Sequence, residues 1–127
     1  MRKLLLLFFV LSGLISCERY QDELVPLVGV YEGIIVGEPG AFTMSVAVEG
    51  NDLIIDAPFD GFSFSIINAN VRNEDEDIID LDFCGQQIHP DVVICGDGFF
   101  NFGDIQLWYE LDYGFGVEEF VLVATKL

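Results

Sequence analysis

The stretch Ala41-Phe42-Thr43-Met44-Ser45-Val46-Ala47-Val48-Glu49, followed by Gly50-Asn51 and then Leu53-Ile54-Ile55-Asp56, decides the fold class. Phe42, Met44, Val46 and Val48 point one way, and Thr43, Ser45 and Glu49 the other. Apolar residues at a period of two are the mark of a half-buried strand. Gly50-Asn51 suits a tight hairpin, because it accepts the positive φ that such turns need. Residues 53–56 should therefore return antiparallel to 41–49.

The same pattern repeats on both sides. Upstream, residues 27–36 are rich in Val, Ile and Tyr, and Gly37-Glu38-Pro39-Gly40 makes a turn. Downstream, Pro58, Asp60 and Gly61 break the chain before residues 62–71. There Phe62, Phe64 and Ile66 share one register while Ile67, Ala69 and Val71 occupy the other, so a bulge near Ile66–Ile67 is expected. Residues 79–84 alternate, 85–91 read as a loop, and 92–95 form a further strand closed by a Gly96-Asp97-Gly98 turn. Residues 105–113 alternate strongly, with Ile105, Leu107, Tyr109, Leu111 and Tyr113 opposite Gln106, Trp108, Glu110 and Asp112. Residues 120–127 are apolar in both registers, as in a strand paired on both sides. The expectation is an all-β fold, an antiparallel meander of about eight strands forming a small barrel or a two-sheet sandwich.

The 127 residues carry 22 acidic groups against five Lys and Arg, a formal net charge of −17. Such a surface repels nucleic acid and anionic lipid, which excludes nucleic-acid binding. Twelve Phe, four Tyr and one Trp nevertheless supply enough apolar mass for one modest core.

Ahead of the β domain stand Arg2 and Lys3, an apolar run from Leu4 to Leu11, and Leu14-Ile15-Ser16-Cys17. The run is too short for a bilayer core, which needs about 20 apolar residues. This segment resembles the signal peptides of bacterial lipoproteins. The resemblance implies removal of residues 1–16, lipidation of Cys17, and residence at the cell envelope, anchored in the outer membrane and facing the periplasm or the cell surface. Residues 17–25 would then be the lipidated cysteine and a short acidic linker, and 26–127 the β domain. Without the signal, Arg19, Arg72 and Lys126 stand against the same 22 acids, a net of −19. Seven linker residues, 18–24, span at most roughly 25 Å.

Cys84 and Cys95 are an even pair for a disulfide-permissive compartment. A bridge between them is expected, worth roughly 2.5–3 kcal/mol in the chain-entropy view. Free thiols, or a metal site with His89, are the alternatives. A zinc site would lack an obvious fourth ligand.

The β domain is similar to small lipocalin-like barrel lipoproteins of Gram-negative bacteria. The likeness rests on Gly29-Val30-Tyr31-Glu32-Gly33, on Gln86-Gln87 ahead of Cys95-Gly96-Asp97-Gly98, and on the closing segments 107–113 and 120–126. Tyr31 stands where lipocalins carry Trp.

Little in the chain points to catalysis. No Gly-x-Ser-x-Gly elbow is present, and Asp80 and Asp82 are the nearest approach to a glycosidase-like carboxylate pair. Calcium loops at 73–77, and at Gly96-Asp97-Gly98 with Asn101 and Asp104, are weaker than the ordinary reading of solvated acidic turns. No catalytic, cofactor or metal residue is therefore assigned. Trp108, set among Gln106, Glu110 and Asp112, is the candidate ligand contact. The expected role is non-enzymatic, structural or protein-interacting, with a small-ligand or glycan-binding module as the alternative.

Overall fold

The structure is a computed structural model, and it describes residues 25–74 and 78–127. Residues 1–24, which hold the expected signal peptide, Cys17 and most of the expected linker, lie outside the described residues, as do 75–77 of the acidic 73–77 segment. A 3-10 turn, Val25–Leu27, leads into eight strands. These are β1 (Gly29–Ile35), β2 (Phe42–Glu49), β3 (Asp52–Ala57), β4 (Ser65–Glu74), β5 (Ile78–His89), β6 (Val92–Asn101), β7 (Asp104–Asp112) and β8 (Val117–Lys126). Every strand pairs antiparallel with its sequence neighbour, and β8 returns to β1, closing a barrel. This is the meander expected from the alternation, in its closed form.

Alternation becomes burial directly. Met44 and Val46 of β2, Leu53 and Ile55 of β3, and Ile105, Leu107, Tyr109 and Leu111 of β7 all point inward. Eight strands leave an interior just wide enough to be filled by side chains, and here one continuous apolar cluster occupies it. Among the described residues no charged side chain is buried in the interior, whereas a membrane-spanning barrel turns an apolar band outward.

Both ends are corked. At the lower rim, where β1 begins and β8 ends, Leu27 is fully buried and its carbonyl accepts the Tyr31 hydroxyl at 2.6 Å. At the upper rim the β3–β4 loop tucks Phe59 inside, and the Phe59 carbonyl accepts the Tyr109 hydroxyl at 2.6 Å. The Phe59 ring meets Tyr109 edge-on, and Tyr109 stacks on Phe120. Asp60 holds the loop by accepting the amides of Phe62 and Ser63.

Turn chemistry sets the registers. Gly50 takes φ 63° at the first position of the two-residue β2–β3 turn, as a type II′ hairpin requires. At the β6–β7 turn, Phe102 and Gly103 both have positive φ (49° and 87°), between the paired Asn101 and Asp104. That is the type I′ pattern, with Phe where Asn or Gly is usual. A left-handed conformation costs a bulky L-residue about 1–2 kcal/mol.

Three expectations are corrected. The β3–β4 ladder runs without a break through Ile66 and Ile67, and the register shift lies instead between Val71 and Asn73. Phe62 and Phe64 precede β4 and are exposed, so no phase slip had to be reconciled. Residues 85–89 are strand, not loop, and only Pro90-Asp91 turns. The Gln86 side chain accepts from the Asn68 amide at 2.8 Å and donates to the Asn68 carbonyl, extending the ladder where β4 and β5 part. Gly96-Asp97-Gly98 is mid-strand in β6. A Cβ on Gly96 would overlap the Trp108 carbonyl and the Tyr109 backbone, so these glycines permit close approach and do not reverse the chain.

Candidate functional site

Outward residues of adjacent strands form rows across the barrel wall. One row runs Asp82 (β5), Asp97 (β6), Trp108 (β7), Val121 (β8), and the row above it includes Cys95, Glu110 and Glu119. Together with Arg72 and Gly96 they line an open groove of about 580 Å³. Trp108 is 41% exposed there, and its ring packs on Phe99 with centroids 5.5 Å apart. The residue identified from alternation alone is therefore placed on the outer surface, with Phe99 of the neighbouring strand packed beside it.

The groove is strongly acidic. Arg72 is its one cation, with Nε 3.3 Å from Asp82 Oδ2. Both groups are partly exposed, so the pair contributes little to stability. Asp97, Glu110 and Glu119 surround the indole without a basic partner among the described residues. An aromatic face ringed by carboxylates can stack on a sugar and accept its hydroxyl protons, or receive a cation.

Cys84 and Cys95 lie directly opposite one another on β5 and β6 and are joined by a disulfide on the outer wall. The bridge fastens the strand that carries Asp97. Asp80 and Asp82 share the outer face, but Arg72 engages Asp82. Asp97 and Asn101 stand four residues apart along extended β6, so the Gly96–Gly98 segment and the 101–104 turn do not gather into one oxygen cage. Among the described residues, no group of three His, Cys, Asp or Glu is placed to hold a metal.

Sequence reasoning missed the upper-rim latch. His89 Nε2 lies 3.4 Å from the Asp60 carboxylate, over the buried Phe59 and Tyr109. Burial raises the Tyr109 phenol well above its ordinary range, with Asp60 and then Tyr113 adding to the effect. Burial alone pushes the Tyr31 phenol up to about 12. The readable signal was Pro58-Phe59-Asp60-Gly61, a turn with an aromatic inside it. No protein-family profile, curated protein or solved structure matches this chain.

Proposed function

We propose that this chain is a bacterial envelope lipoprotein, anchored in the outer membrane through acylated Cys17, whose lipocalin-like barrel serves a non-enzymatic, protein-interaction role. The observation carrying this reading is where the apolar groups lie. The interior is taken up by its own corks and core, whereas Trp108 sits outside in an acidic groove. A lipocalin-type carrier would keep its aromatic lining for a ligand within the barrel. An exposed Trp at the centre of a groove is instead the type of residue that dominates protein contacts.

Glycan capture is the second reading, favoured by the flanking of the indole by Asp97 and Glu110, which suits sugar stacking and hydroxyl recognition. Two measurements test the pair. Labelled fatty acid should enter the wild-type chain and not Cys17→Ala. A photo-reactive residue at position 108 should give a discrete protein adduct in intact cells, absent when it is placed at Ser45 on the far wall. Retention on immobilised glycans, abolished by Trp108→Ala and accompanied by no protein adduct, would replace the first reading with the second.

A further inference from the structure

The lower rim carries apolar groups that the interior does not use. Phe102, 77% exposed, projects from the tip of the β6–β7 hairpin in a left-handed conformation that asparagine or glycine would take without strain. The Gly103 carbonyl accepts the Lys126 amide at 2.8 Å, and the Val30 carbonyl accepts the Leu127 amide at 2.9 Å. The hairpin tip, the end of β8 and the start of β1 are thereby held side by side. Leu127 is 73% exposed, and Val28 and Val30 are exposed beside it. The Lys126 ammonium, which donates to the Pro26 carbonyl at 2.8 Å, lies at this same edge.

We infer that this rim rests on a lipid surface, with Phe102 and Leu127 entering the boundary between headgroups and acyl chains. The inference rests on the lipid-anchor reading of Cys17 and adds to it which end of the barrel faces the bilayer. Chain length argues for that occupant. The described chain begins at Val25, at the lower rim, and only residues 18–24 separate it from Cys17. Seven residues reach at most about 25 Å, so this rim cannot stand far from the bilayer that holds the acyl groups. The upper rim, with exposed Phe62 and Phe115, lies farther away by the length of the strands, on the order of 25 Å for ten tilted residues. Charge narrows the lipid. The acylated chain, without residues 1–16, has a net charge of −19 and is repelled by anionic headgroups, so the surface that accepts this rim is zwitterionic and the contact is apolar.

The test uses full-length, acylated protein in vesicles of zwitterionic phospholipid, with and without bromine on the acyl chains near the headgroup. Trp108→Phe removes the single tryptophan, and Phe102→Trp or Phe115→Trp then supplies a reporter at one end. Brominated lipid should quench the Phe102→Trp reporter several-fold more than the Phe115→Trp reporter. A third reporter, Leu127→Trp, should be quenched as well, and less so when Phe102→Glu is added. Vesicle flotation and labelled acyl content are read on the same samples. Protein that floats with its acyl label but shows equal or absent quenching at both ends overturns the rim contact and leaves the anchor standing. Protein that neither floats nor carries label overturns the anchor, and the rim contact with it.

Discussion

Removing the upper cork should cost this barrel a large share of its stability. Phe59 is fully buried, its ring meets Tyr109 edge-on at 5.6 Å, and its carbonyl accepts the Tyr109 hydroxyl. Phe59→Ala deletes a core aromatic from a site walled by strands that cannot collapse inward. The loss should be about 3–5 kcal/mol, against a total of roughly 5–15 kcal/mol for a typical domain. Tyr109→Phe keeps the ring and strands one buried carbonyl, which should cost about 1–3 kcal/mol. In a domain of this size each kcal/mol lowers Tm by about 4–8 °C. The two changes act on one latch, so the double variant should lose less than their sum, with a coupling of about 0.5–3 kcal/mol. Urea unfolding at neutral pH, followed by Trp108 emission and by far-ultraviolet dichroism, measures all three. A Phe59→Ala loss below about 1 kcal/mol, or strict additivity in the cycle, would refute the idea that this loop seals the barrel.

Opening the Cys84–Cys95 bridge with Cys84→Ser/Cys95→Ser should remove about 3 kcal/mol, from the entropy of its short loop, seen as a lower urea midpoint that reductant no longer shifts. Gly96→Ala should destabilise by about 1–3 kcal/mol or more, because its methyl overlaps β7. Gly116→Ala, where a Cβ meets open space, should be near neutral in the same thermal scan. Stability should be steady up to about pH 10, where unfolded tyrosines begin to ionise. It should then fall as pH climbs toward the raised folded values of Tyr31 and Tyr109, since the unfolded chain releases its protons first. Tyr31→Phe/Tyr109→Phe should flatten that decline between about pH 10 and 12, and an unchanged slope would show that these phenols are not the cause.

Period-two alternation was enough to determine the fold class, the inward faces of β2 and β7, and the outward placement of Trp108, because a strand presents successive side chains to opposite sides whatever its partners. Cys84 and Cys95, the even pair left once Cys17 is set aside as the expected lipid site, likewise pointed to the bridge. Pairing decided where β5 ends: Gln86, Gln87 and His89 lie against Ile94, Val93 and Val92 of β6, and the Gln86 side chain bonds the Asn68 backbone of β4, eighteen residues away. It also decided that Gly96 lies in a strand, because the reason for that glycine is the β7 backbone, which local sequence does not contain. The corks and the groove belong to the same class. Phe59 inside and Phe62 outside are chemically alike and only three positions apart, and what separates them is which one the closing barrel had room to enclose.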